Sequence, residues 1–305
     1  MAKLLPNLMP VLGSISLMFA IMFVGYLYKR VFARYKWYPV SSRTLYNIVY
    51  WVLTPLTFIE SFSKTGITGM LALPFASITA YALVAAVIIW RMDFGDEKAK
   101  YVVLLNSINQ NNLFVGYPIL YSAFGDATMA LYFGLLSFAY TILAPEIITG
   151  GATLSLRLLT NPVVIGFALG NLIHYATPSI AATISNMLCW TPKTISYLSI
   201  FVMGMLLDLS RGWLSNKLKR AFYTTALIKF VLNPLAYLPF ILLFHLPPLY
   251  AYETIVLGVM PPAVLNTVMA AKYGWHPEFT ASSIFILTIA SLILATILIA
   301  VITSI

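Results

Sequence analysis

The sequence predicts an all-α membrane protein of ten transmembrane helices, arranged as two inverted five-helix repeats with two crossing broken helices. Three observations predict it. The chain of 305 residues is 61% apolar and only 9% charged, with a mean hydropathy of +0.90. Stretches near 20 apolar residues, the length of one helical bilayer crossing, recur from end to end. Inside two of them, Asn111-Asn112-Leu113-Phe114-Val115-Gly116-Tyr117-Pro118 and Pro261-Pro262-Ala263-Val264-Leu265-Asn266, helix breakers and amides stand together.

Composition bounds the class. A soluble globular domain carries about 25% charged residues, so a soluble enzyme does not fit. No polar stretch is long enough to fold separately, which leaves one integral membrane domain with repeat halves at 1–150 and 151–305. The net charge of +9 lies in short gaps between apolar spans and reads as a topology signal, not a nucleic-acid face. The single cysteine, Cys189, allows no intramolecular disulfide. Lys3 precedes an apolar stretch, as in a signal peptide. That stretch runs about 22 residues without a small-residue cleavage site, so it is expected to be the first span.

The expected spans are 8–29, 41–62, 69–91, 98–124, 127–149, 158–176, 181–211, 217–245, 250–273 and 278–304. Span 2 carries Thr54-Pro55, and span 3 has no charged side chain in its interior. Spans 4 and 9 are unusually rich in Asn, Gly and Pro, and Asn161-Pro162 opens span 6. Thr191-Pro192 interrupts span 7, so residues 181–190 read equally well as a separate interfacial piece. Span 8 holds Lys229, about nine residues in and roughly 13 Å deep at 1.5 Å per residue.

The gaps after spans 1, 3, 5, 7 and 9, with the adjoining span ends, hold 14 of the 18 lysines and arginines. The opposite side holds Lys3, Lys64 and Lys193. The positive-inside rule then places both termini outside. Five spans per half, an odd number, forces the halves into opposite orientation, as inverted-repeat transporters require. Two faint echoes accompany this: Thr54-Pro55-Leu56-Thr57 with Thr191-Pro192-Lys193-Thr194, and Phe124-Gly125 with Tyr273-Gly274.

A broken helix in hydrocarbon leaves peptide groups without partners, so breaks persist only where they line a protein-enclosed cavity. One break per half is the pattern of a secondary transporter with discontinuous helices near the midplane. Pro118, Pro261 and Pro262 lack the N–H that closes a helical turn. Asn111, Asn112 and Asn266 stand beside the breaks, where they either bond across helices or line the cavity. An amide donates to a carboxylate without carrying charge, and a free helix N-terminus adds partial positive charge. Lys229 is an intramembrane charge, which marks a functional site by default. Its alternatives are snorkelling toward the headgroups or a structural ion pair, with Glu146 as one partner. Glu60 and Glu253 lie near outer span ends and are expected to be interfacial. His174, His245 and His276 are far apart, and no cluster has metal-ligand spacing. With no phosphate-binding loop and no context for a nucleophile, neither metal, cofactor nor enzymatic activity is expected.

These residues resemble the auxin efflux carrier family, which includes the PIN-type auxin exporters. Its fourth span holds an Asn, five intervening residues, then a Gly-x-Pro-Leu/Ile motif, whereas four residues separate Asn111 from Gly116. Here Asn111 stands seven before Pro118 in Gly116-Tyr117-Pro118-Ile119, closing with Phe124-Gly125-Asp126. Asn161-Pro162, Lys229-Phe230-Val231-Leu232-Asn233-Pro234 and Ala271-Lys272-Tyr273-Gly274-Trp275-His276-Pro277 are also similar to family segments. The resemblance covers most of the chain. It implies the fold shared with sodium/proton antiporters and bile-acid symporters: ten helices, a scaffold domain, and a transport domain with two crossing broken helices. It also implies that Asn111 contacts substrate, with Asn112, Gly116, Pro118, Pro261, Pro262 and Asn266 around the crossing and Lys229 in reach. There are departures. The long hydrophilic loop of many PIN-type exporters is absent, Leu113 stands where many bacterial-type members have Gly, and span 3 lacks the exporters' charged pair.

The expected function is a secondary transporter or facilitator exporting a small organic anion by alternating access. Auxin-like carboxylates and dicarboxylates such as malate are the classes the resemblance implies. The alternative is sodium-coupled organic-acid symport of the bile-acid-transporter type. Expected partners are the anion and membrane lipid, with no nucleic acid and room for a homodimer; the expected location is the cell membrane.

Overall fold

In the computed structural model, which describes residues 8–149, 160–206 and 216–304, the apolar runs are helical and no strand forms among the described residues. The first half contains α1 (Leu8–Phe32), α2 (Tyr38–Asn47), α3 (Thr54–Thr65), α4 (Ala72–Trp90), α5 (Glu97–Ile108), α6 (Tyr117–Phe124) and α7 (Thr128–Ile148). The second contains α8 (Pro162–Ala176), α9 (Pro178–Leu188), α10 (Thr191–Leu206), α11 (Asn216–Leu227), α12 (Asn233–Leu243), α13 (Pro248–Leu257), α14 (Leu265–Tyr273) and α15 (Pro277–Ser304). Helix falls within each of the ten hydrophobic segments. Among the described residues, four runs are long and apolar enough to cross a membrane unaided: Gly69–Trp90, Thr128–Pro145, Leu218–Leu243 and Pro277–Thr303. Span 7 is two helices, α9 and α10, divided just ahead of Thr191-Pro192. Lys3, Arg157 and Arg211, which count in the charge asymmetry, lie outside the described residues.

Three long helical runs contain a proline near their middle. A proline cannot donate to the carbonyl four residues back, and its ring clashes with that carbonyl. The chain responds with π-helical turns at Ile48–Leu53, Asn112–Gly116 and Ile228–Leu232. In each, the residue before the proline bonds five residues back: Thr54 N–H to Val49 O, Tyr117 N–H to Asn112 O, Asn233 N–H to Ile228 O. The widened turn carries the helix past Pro55, Pro118 and Pro234. Pro118 is therefore not where span 4 breaks, contrary to the expectation. The break lies earlier, at Asn109–Asn111.

The described residues pack as two compact units, one of residues 17–71 with 160–206, the other of residues 8–16, 72–149 and 216–304. Each takes elements from both sides of residue 150, so packing and the sequence halves partition the chain differently. In the first unit α8 lies close on α3, because Gly166 presents no side chain to it. A Cβ there would stand 2.6 Å from the Pro55 carbonyl oxygen. Phe62 and Phe167 meet edge-on at 4.8 Å, and Asn161 caps α8 by accepting from Val163 N–H. The second unit contains both broken spans. Tyr81 of α4, Tyr132 and Phe133 of α7 and Tyr237 of α12 are fully buried in it, and the Tyr237 ring packs on Tyr81 and Phe133.

Candidate functional site

Two non-helical segments of the second unit run antiparallel past each other. α5 ends at Ile108, and the chain passes through Asn109–Asn111 before the π turn leading to α6. α13 ends at Leu257, and helix resumes only at Leu265. Asn111 N–H donates to Pro261 O at 2.8 Å and Ala263 N–H to Asn109 O at 3.0 Å, so that Gln110 faces Pro262. Each break thus satisfies part of the other's backbone, as an interruption inside a membrane demands.

Side chains satisfy the carbonyls around the ends of α5 and α13. A helix C-terminus leaves four C=O groups without intrahelical donors. On α5, Asn266 Nδ2 donates to Leu105 O at 3.2 Å, while Tyr81 Oη at 2.9 Å and Lys229 Nζ at 3.2 Å both donate to Ser107 O. Lys229 Nζ also reaches Asn109 O at 3.5 Å. Beyond α13, Asn233 Nδ2 donates to Gly258 O at 2.7 Å and Ser291 Oγ to Val259 O at 2.6 Å. All five of these side chains are at 0% exposure. Lys229 places its amine at the negative end of the α5 dipole, the end that favours a cation.

The opposite ends, where helix resumes, border a pocket of about 30 Å³ lined by Gln110, Asn111, Phe114, Ser137, Thr141 and Leu265 among others. That is room for roughly two water molecules. Asn111 Oδ1 accepts from Phe114 N–H at 3.2 Å and caps the turn into α6, and Asn112 Nδ2 donates to Ser137 Oγ at 2.9 Å. α6 and α14 also finish alike. Each stops at a glycine with left-handed φ, Gly125 at +71° and Gly274 at +68°, a conformation that costs a side-chain-bearing residue.

Of the residues singled out in the sequence, Asn111, Pro261 and Pro262 form the crossing itself. Asn266 joins it, bonding Asn106 Oδ1 at 3.1 Å and accepting from Asn109 Nδ2 at 3.3 Å. Asn112 follows directly. Gly116 instead faces α13, where an added Cβ would come within 2.7 Å of the Leu257 side chain. Pro118 lies in the first turn of α6, seven residues past Asn111. Lys229 is not in the pocket lining and reaches the crossing only through carbonyls; its full burial removes the snorkelling alternative. The side chain of Glu146, its other suggested partner, lies outside what the structure describes.

Sequence reasoning passed over Asn106, Asn109 and Gln110. With Asn111 and Asn112 they put five amides into seven residues of an apolar span, and that density was the available signal. Asn233 stands in the family-like run Lys229–Pro234 but was not singled out; Tyr81, Tyr237 (which accepts from Gln110 Nε2 at 2.8 Å) and Ser291 gave no signal, each being ordinary in its own segment. Glu253, expected at the interface, is fully buried. The first turn of α7 provides its donor, Met129 N–H, at 2.9 Å.

Asp96 caps α5 by accepting from Lys98 N–H at 3.0 Å, and its other oxygen meets Nε2 of His276 in the loop before α15. Slight burial pushes the Asp96 carboxyl up, but the His276 ring and Lys98 outweigh it and hold the carboxyl below its ordinary value.

A family model described as membrane transport protein matches residues 149–299, a stretch that takes in Lys229, α13, the second break and α14. No curated relative matches the chain.

Proposed function

The chain belongs to the membrane transport protein family, the family of the auxin efflux carriers, and we propose that it carries a small organic anion by alternating access. The observation behind this is the polarity of the crossing. Donors, one of them the buried Lys229 Nζ, cover carbonyls at both C-terminal ends, whereas both resuming N-terminal ends border one pocket. Partial positive charge is left facing that pocket, beside the Asn111 amide and the hydroxyls of Ser137 and Thr141. Such an arrangement favours an anion without a fixed counter-charge in the lining to hinder release. The pocket is smaller than a dicarboxylate needs, so passage requires lining residues such as Phe114 and Leu265 to move.

Two inverted five-helix repeats agree with this reading. α6 and α14, one in each half, both follow a break, have 8 and 9 residues, and end at a left-handed glycine. The charge asymmetry supports a cell-membrane protein with both termini outside. An anion leaving a cell negative inside gains about 2.3 kcal/mol per charge at 100 mV, roughly a 50-fold gradient. Export then needs no coupled ion, and auxin-like carboxylates and malate-class dicarboxylates are the substrates to test first.

A sodium-coupled symporter is the second reading. It is favoured by the side-chain oxygens of Asn109, Gln110, Asn112 and Asn233, which receive no donor among the described residues. Oxygen ligands suit a hard cation.

Binding of organic acids to the purified protein tests the proposal. Asn111→Ala should weaken it about 10- to 150-fold, the worth of one hydrogen bond to a charged group. Neutral amide analogues that bind as tightly as the acids would refute an anion site. Affinity that vanishes when choline replaces sodium would favour the symporter.

A further inference from the structure

We propose that Glu253 and Asp126 form a proton-binding site, a carboxyl pair that holds one proton between them and links external pH to transport. Its consequence for transport rests on the function proposed above; its existence does not. Glu253 is at 0% exposure in α13. Its Oε2 accepts from Met129 N–H at 2.9 Å, while Oε1 has no donor among the described residues. The first turn of α7 brings the carboxyl of Asp126 beside it: Asp126, half-buried between α6 and α7, accepts through Oδ1 from Thr128 N–H at 2.9 Å, the residue next to Met129. Two carboxylates so placed repel. One proton taken from water converts one of them to COOH, supplies the missing donor and removes one of the two charges.

Among the described residues, the surroundings offer no cationic side chain to balance a second charge. Tyr132 of α7 and Tyr250 of α13 are the other titratable groups nearby. α6 brings Tyr117 and Tyr121, α12 brings Tyr237, α15 has only Glu278, and α7 has Tyr140 and Glu146 further along. None of these helices, nor the π turn before α6, contains Lys, Arg or His. His245, in the loop before α13, is exposed and bonded to Leu243 O. A buried charge without a partner is costly, and inside a membrane protein it marks function.

The location gives the site its leverage. Asp126 follows Gly125, which ends the half-helix beyond the first break, and Glu253 lies in the half-helix that leads to the second. The shared proton therefore ties α13 to the α6–α7 junction. Its loss sets two negative charges across that joint. The charge asymmetry puts the joint outside, with half-buried Asp126 as the proton's entrance.

Infrared difference spectroscopy of the purified protein tests this without any substrate. The parent should show the carbonyl stretch of a buried protonated carboxyl at neutral pH, fading as pH rises. Glu253→Gln, which keeps volume and can donate to Asp126, should lack that band, and its melting temperature should change less than the parent's as pH rises above neutral. Asp126→Asn should also abolish the shared-proton band, and serves should Glu253→Gln not fold. In vesicles, transport by the parent should change up to about tenfold per external pH unit on the limiting side, and that of Glu253→Gln by under about twofold over the same range. No protonated-carboxyl band in the parent, its persistence in Glu253→Gln, or an unchanged pH profile in that variant would overturn the proposal. If no organic acid is transported at all, the transport reading fails while the infrared and melting results still decide the proton site.

Discussion

Asn266 is the residue through which the second broken span holds the end of the first. Its amide donates to Leu105 O at 3.2 Å and Asn106 Oδ1 at 3.1 Å, and its oxygen accepts from Asn109 Nδ2 at 3.3 Å, all at full burial. Asn266→Ala removes the three together. Polar bonds between membrane helices average about 0.6 kcal/mol and reach about 1.7, because the unfolded chain in the membrane also finds partners. Three of them are then worth about 2 kcal/mol, with about 5 as the ceiling. Asn266→Asp keeps the acceptor for Asn109 but turns oxygen toward the Leu105 carbonyl and the Asn106 amide oxygen. It should be worse than Ala, approaching the about 3–5 kcal/mol of a buried charge without its partner. Reversible unfolding of the purified protein in mixed micelles, followed by tryptophan fluorescence, measures both. An Ala variant within about 0.5 kcal/mol of the parent, the range of neutral surface changes, would refute the role assigned to Asn266. So would an Asp variant more stable than the Ala variant.

Lys229→Met leaves Ser107 O bonded to Tyr81 and Asn109 O bonded to Ala263 N–H, so no carbonyl is orphaned. Stability should change little, since loss of a buried ammonium offsets loss of its bonds. Anion binding should weaken by up to roughly 30-fold, because the about 0.3–2 kcal/mol counter-charge to the end of α5 is gone; equal affinity in a direct binding assay would refute it. The Asp96–His276 pair gives a pH signature. The depressed Asp96 carboxyl contributes stability that is present above its unfolded value and lost as pH falls through the lower folded value. Both side chains are about a third exposed or more, so the pair should be worth under about 1 kcal/mol and less in high salt. The stability difference between the parent and His276→Gln, which keeps the Asp96 cap, should shrink in acid and in salt; a constant difference would rule out an electrostatic origin.

The helical character of this chain, and the general position of both breaks, follow from the sequence by itself. Apolar runs of this length must satisfy their peptide groups internally, and amides clustered with prolines resist doing so. Which proline breaks a helix does not follow. Pro55, Pro118 and Pro234 are each carried by a π turn, whereas the chain opens at Asn109–Asn111 because Pro261 O and Ala263 N–H, from the other half, bond there. Glu253 looks interfacial by its distance from a span end, yet the first turn of α7 offers it Met129 N–H and it is buried. Lys229 is legible as a charge at depth, but its partners, the carbonyls of Ser107 and Asn109, exist as acceptors only because α5 stops where it does. A sequence position states what a group can donate or accept. Only tertiary packing decides which partner stands opposite it, and in a medium without water that partner decides whether the local structure holds.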